Sequence, residues 1–118
     1  MQESYKDILK LLLPAIIIEN FELTSYKTTA EVMHLYLQEI NQIPKEFEGQ
    51  KLESKGFFEE ITVQDFPIRG HKVFLHIKRR RWYSHTLEKV VYRNWDLVAD
   101  GTRMTKEFSI FLKALNRF

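Results

Sequence analysis

Apolar residues in this chain fall first at helical and then at strand spacing. Tyr5, Ile8, Leu9 and Leu12 recur at three- and four-residue intervals, which predicts a helix over residues 4–13 with Ser4 as its N-cap. Pro14 ends that helix, because the residue before a proline is pushed towards extended backbone. The proline itself can open a second short turn reaching Asn20. From Phe21 the period becomes two. Phe21 and Leu23 share one face of a strand, and Met33, Leu35 and Leu37 share one face of the next, with a hairpin at residues 28–31 between them.

Residues 41–58 contain Pro44, Gly49 and Gly56 with little periodicity, and read as a long loop anchored by Phe47, Leu52, Phe57 and Phe58. A second hairpin follows. Residues 61–66 form one strand, Pro67-Ile-Arg-Gly70 the turn, and residues 72–83 the return strand. On that return strand Val73, Leu75 and Ile77 alternate inwards, while Phe74, His76, Lys78, Arg80 and Trp82 share the other face. Residues 90–97 form a further strand beside it. Asp100-Gly101-Thr102 then closes the sheet region and caps a helix from Arg103, with Thr102 as N-cap. The expected fold is a single α+β domain over residues 1–118: a small antiparallel sheet built from hairpins, with N-terminal and C-terminal helices packed on it.

Composition narrows the function classes. The 118 residues suit one domain, and 44% hydrophobic with 29% charged residues is an ordinary globular balance. There is no cysteine, so disulfides and thiolate metal sites are excluded and a reducing, cytoplasmic setting is expected. The longest apolar run, Leu11 to Ile18, falls far short of the roughly 20 residues that span a bilayer. The acidic start before it lacks the cationic region of a secretory signal, so neither a membrane partner nor export is expected. The net charge of +2 conceals a polarity. Residues 1–60 hold 6 Lys, no Arg and 11 acids, a net −5, whereas residues 61–118 hold 5 Lys and 7 Arg against 5 acids, a net +7. Such a division fits a chain that meets phosphate with one region and solvent or a basic partner with another.

The strongest candidate patch is Lys78-Arg79-Arg80-Arg81-Trp82-Tyr83. Guanidinium groups bind phosphate bidentately, and neighbouring rings can stack on bases. Strand alternation divides the run: Lys78 and Arg80 leave the outer face, while Arg79 and Arg81 share parity with the core and must lie beyond the edge of the sheet. The alternative for these arginines is a solvated strand end paired with the acidic first half. The last helix supplies a second basic stripe. Arg103, Lys106, Lys113 and Arg117 lie opposite an apolar face of Met104, Phe108, Phe111, Leu115 and Phe118, and with Lys72 they could extend a phosphate track. Catalytic signals are lacking. His34, His71, His76 and His85 do not have zinc-site spacing, and no motif links Asp65, Asp96 and Asp100 into a metal-dependent nuclease triad. The glycines form no phosphate-cradling loop. No enzyme, metal or cofactor is expected, although the closeness of His76 and Arg79 on one strand raises a small ribonuclease as a further alternative.

The stretch Lys51-Leu-Glu-Ser-Lys-Gly-Phe-Phe-Glu-Glu-Ile-Thr-Val-Gln-Asp-Phe-Pro-Ile-Arg-Gly70, with Lys78-Arg-Arg-Arg-Trp82 and Gly101-Thr-Arg-Met-Thr-Lys-Glu-Phe108, resembles the N-terminal region protein of ISAon-type insertion-sequence transposases. The likeness covers nearly the whole chain and is densest from Lys51 to Phe108. It implies a split transposase, in which this chain is accessory and a neighbouring reading frame supplies the catalytic acid triad. The implied partners are the DNA of the element's terminal repeats and that catalytic subunit, and the chain could also pair with a second copy. More distantly, the chain is similar to the zinc-ribbon-like N-terminal region of unsplit transposases. It departs from that group in lacking the cysteines, and strand pairing and aromatic packing around Trp82, Tyr92 and Trp95 are expected to take over the metal's structural role. In those relatives an Arg-x-Thr helix start leads into a helix-turn-helix. Here Arg103-Met-Thr105 opens the last helix, and the remainder is expected from the partner. A second possibility is a protein-interaction module that docks the catalytic subunit without binding DNA, motivated by the acidic first half and the aromatic loop.

Overall fold

The computed structural model of the chain describes residues 2–93, 95 and 103–115. Helix α1 (Gln2–Leu12) begins two residues before the expected N-cap Ser4, which lies inside its first turn. Pro14 does separate α1 from a second helix, α2 (Ala15–Asn20), and its carbonyl accepts the N–H groups of Ile17 and Ile18. Strands β1 (Phe21–Thr28) and β2 (Val32–Glu39) form the first hairpin, whose turn is closed by the Thr29 N–H donating to Val32 O at 2.8 Å. After a 3₁₀ turn at Lys45–Phe47 come β3 (Leu52–Phe57), β4 (Ile61–Ile68), β5 (His71–Lys78), β6 (Arg80–Ser84) and β7 (Lys89–Val91), followed by α3 (Lys106–Leu115). The fold is α+β. Among the described residues no helix is long and apolar enough to cross a membrane.

The strands make two sheets: a four-stranded one in the order β1-β2-β5-β4 and a three-stranded one in the order β3-β6-β7. The first is mixed, since β2 runs parallel to β5, which corrects the all-antiparallel expectation. The expected long loop also contains β3. Its residues alternate weakly in hydrophobicity because it is largely exposed and is held by β6 from thirty residues further on. The core lies under one face of the larger sheet. Leu35, Leu37, Val63, Val73, Leu75 and Ile77 pack there against Leu13, Ile17, Ile18 and Phe21, with Leu9 and Trp95 at the margin. Helix α1 turns differently from its expected apolar stripe. Leu9 faces the core, whereas Ile8, Leu11 and Leu12 are exposed.

The return strand expected over residues 72–83 is two strands in two sheets. It breaks at Arg79, whose carbonyl accepts the Phe58 N–H at 2.9 Å. Buried positions are odd-numbered in β5 (Val73, Leu75, Ile77) and even-numbered in β6 (Trp82, Ser84). The chain therefore changes its inward parity as it passes between sheets. The turn before β5 is tighter than expected. Pro67 and Ile68 belong to β4, and the two-residue turn is Arg69 (φ 50°) and Gly70 (φ 79°), the left-handed pair that suits a twisted hairpin. The last helix starts at Lys106 and not at Arg103. Thr105 is its N-cap, accepting the Phe108 N–H at 3.4 Å, while the expected cap Thr102 lies outside the described residues.

Candidate nucleic-acid interface

The candidate cations divide into three settings. Arg79 and Arg81 lie over Phe58, with guanidinium carbons 5.2 Å and 5.7 Å from the ring centroid. Arg81 is exposed and donates from Nε to Lys55 O at 3.0 Å, which fixes its plane. Arg79 is half-buried, and its Nε has no hydrogen-bond partner among the described residues. Arg80 points to the other side. Its guanidinium sits 4.6 Å over Phe57, donates from Nε to Glu39 O at 3.2 Å and from Nη1 to Ser54 Oγ at 3.0 Å. Arg80 is thus a structural joint between the sheets. Phe57 and Phe58, expected as anchors, are half-buried and act as platforms for these cations.

Trp82 does not share an outer face with Lys78. It is 1% exposed, its Nε1 donates to Asn41 Oδ1 at 3.0 Å, and it forms the centre of the smaller sheet's packing with Val91. The parity change at Arg79 is the reason, and it removes Trp82 from any surface that could stack on a base. The basic stripe on the last helix is also reduced. Arg103 precedes the helix and is bound to the edge of β4 through its carbonyl, which accepts the Gln64 N–H at 2.8 Å. Lys106 is half-buried, Lys113 is exposed, and Arg117 lies outside the described residues, as does Phe118 of the apolar face. On that face Phe108 is buried against Phe66, but Phe111 and Leu115 are exposed.

Lys72 and Lys78 are the two ends of the outward row of β5, with Phe74 and His76 between them. The strand register places neighbours beside that row. Lys27, His34, Phe74 and Gln64 lie across the four strands at one level, and Ser25, Tyr36, His76 and Thr62 at the next. Arg103 borders this face beside Phe74, and Glu60 lies close to His76, with its Oε1 3.5 Å from Nδ1. His34 Nδ1 and His76 Nε2 are 2.8 Å apart, and Thr62 Oγ1 is 3.0 Å from His76 Nδ1. The hydrogen bond between the two imidazoles needs a proton on one ring and a lone pair on the other. Burial holds His76 below the ordinary histidine value, and the nearby His34 acts in the same direction, against the carboxylate of Glu60.

This open face was only half legible. Phe74, His76 and Lys78 follow from strand alternation, whereas the apolar set Met33, Leu35 and Leu37 is the stronger signal on β2 and says nothing of where His34, Tyr36 and Thr62 meet. The same alternation assigns His34 and Tyr36 outwards, but their approach to Phe74 and His76 depends on the parallel pairing of β2 with β5. Among the described residues no group of three His, Cys, Asp or Glu could hold a metal ion. No family model, curated protein or solved structure matches the chain.

Proposed function

We propose that the chain is a DNA-binding accessory subunit of a split insertion-sequence transposase, meeting terminal-repeat DNA mainly through phosphate contacts. The family part of this proposal rests on the resemblance of residues 51–70, 78–82 and 101–108. The DNA-binding part is supported by one observation above the others: Lys72, Lys78 and Arg103 border one open sheet face, while Arg79 and Arg81 are held in fixed orientation over Phe58 nearby in sequence. Pre-oriented guanidinium groups lose little side-chain entropy on binding a phosphate. The test is equilibrium binding to duplex DNA carrying the terminal repeat at several salt concentrations. About five neutralised phosphates give a slope of log affinity against log salt of roughly −4 to −5.

A second role has its own support. Leu11 is 85% exposed, and Ile8, Ile110 and Leu115 are each more than half exposed, on α1 and α3. Such side chains suit a docking module for the catalytic subunit. Co-purification with that subunit combined with no binding to the terminal-repeat duplex supports docking in place of DNA recognition.

A further inference from the structure

The outer face of the larger sheet carries an unusual arrangement for a solvated surface: two stacked pairs of rings, joined edge to edge into a pile of four. Phe74 stacks on His34 with centroids 5.8 Å apart and planes within 21°. His34 and His76 meet edge to edge, with centroids 5.0 Å apart and Nδ1 2.8 Å from Nε2, and His76 stacks on Tyr36 at 4.5 Å and 13°. The pile zigzags between β2 and β5; the His34–His76 hydrogen bond joins its two pairs, and the His76–Thr62 hydrogen bond ties it to β4. Each end of it opens on a recess. Phe74 lines a pocket of about 270 Å³ together with Thr62, Gln64, Arg103 and Met104. Tyr36 lines one of about 170 Å³ that also holds Gln38, Ser25, Lys78 and Glu60.

Resting on the DNA-binding role proposed above, we infer that this ring pile is a stacking site for unpaired bases, so that a single-stranded DNA segment seats a base at the Phe74 end and another at the Tyr36 end. Every base has a π-face, and aromatic side chains on a sheet surrounded by cations are the usual means of holding a single strand without reading its sequence. The surrounding charge fits. Lys27, Lys72, Lys78 and Arg103 border the face against the two acids Glu22 and Glu60. The Phe74 recess pairs the ring with Arg103 and the Gln64 amide, and the Tyr36 recess holds Lys78 and the Gln38 amide beside Glu60; either amide can bond a base edge. Bases inside a duplex are already stacked and cannot reach half-buried rings, so the site selects DNA that is open or frayed.

The test uses the whole chain with three probes of equal length: a 12-nucleotide oligothymidine, an abasic deoxyribose-phosphate strand, and a duplex. Oligothymidine is expected to bind at least 10-fold more tightly than the abasic strand. In proton–carbon NMR spectra, the ring signals of His34 and His76 are expected to move on adding oligothymidine, while those of His71 and His85, outside the pile, stay in place. Phe74→Leu and Tyr36→Leu are each expected to weaken oligothymidine binding roughly 5- to 100-fold and to leave duplex binding unchanged. The NMR result needs no variant, so a variant that misfolds does not remove the test. Equal affinity for the abasic strand, or unmoved His34 and His76 signals with salt-sensitive duplex binding intact, overturns the stacking site and leaves the DNA-binding role standing. Failure of all three probes to bind overturns both.

Discussion

The Glu39 carboxylate, at the end of β2, accepts the backbone N–H of Arg80 at 2.9 Å, and the Arg80 side chain donates back to the Glu39 carbonyl at 3.2 Å. This reciprocal pair joins the first strand of one sheet's parallel pair to the first residue of the other sheet's central strand. Glu39 Oε1 also accepts the Trp95 indole N–H at 2.9 Å, while Oε2 is buried with no hydrogen-bond partner among the described residues. Glu39→Ala leaves two half-buried donors unpaired and is expected to destabilise the fold by about 2–4 kcal/mol. Glu39→Gln keeps one acceptor and is expected to cost less. Urea unfolding followed by tryptophan fluorescence measures both.

His76 gives the fold a pH dependence of known sign. Its folded value is depressed below 6.5, chiefly by burial, so the unfolded chain takes up a proton that the folded chain resists. The contribution is fully present above pH 6.5 and is lost as the pH falls from there through the depressed folded value. Melting temperature is expected to decline between pH 7.5 and 5.5 in the native chain and to decline less in His76→Gln. Glu60→Gln removes the carboxylate that opposes the depression and is expected to steepen the decline.

Asp65 and Thr105 act in the opposite sense. Asp65 is buried, and burial raises its carboxyl above the ordinary 3.8, although the Thr105 hydroxyl donates to Oδ1 at 2.8 Å. The folded chain therefore holds the proton more tightly, and the stability linked to it is present below pH 3.8 and lost as the pH rises through the raised folded value. Asp65→Asn keeps the acceptor for Thr105 and is expected to equal or exceed the native stability at pH 7. Asp65→Ala strands a buried hydroxyl and is expected to cost about 1–3 kcal/mol. Denaturation midpoints at pH 7 separate the two.

The β4–β5 turn is open to improvement. Arg69 occupies a left-handed conformation at φ 50°, where asparagine is better tolerated. Arg69→Asn is expected to raise stability by about 0.5–1 kcal/mol. Gly70→Ala is expected to lower it by about 1–2 kcal/mol from backbone strain alone, since a Cβ there meets no atom within 4 Å. Thermal melts of the two variants check the signs.

What the sequence made legible follows from how local each signal is. Pro14 between two helices, the first hairpin and the inward set Val73, Leu75 and Ile77 are written in neighbouring residues, and the structure agrees with them. The break at Arg79 is not. No glycine or proline marks it, because the strand stops when Phe58 and Glu39, twenty and forty residues earlier, take its backbone bonds. Extending one parity across that break put Trp82 on the surface and merged two separate basic settings. The four-ring pile was hidden for a related reason, as the parallel register of β2 with β5 has no local signature.

The central claim, phosphate-led DNA binding by this chain, is tested most directly by the salt dependence of duplex affinity. Fluorescence anisotropy would follow a terminal-repeat duplex and a scrambled one, with the native chain, Lys78→Ala/Arg103→Ala and Arg81→Ala. Arg80 is left intact because its removal disturbs the Glu39 joint. A native slope of roughly −4 to −5, reduced by about 2 in the double variant and about 1 in Arg81→Ala, is the predicted result. A flat salt dependence, or no binding to either duplex, would contradict it.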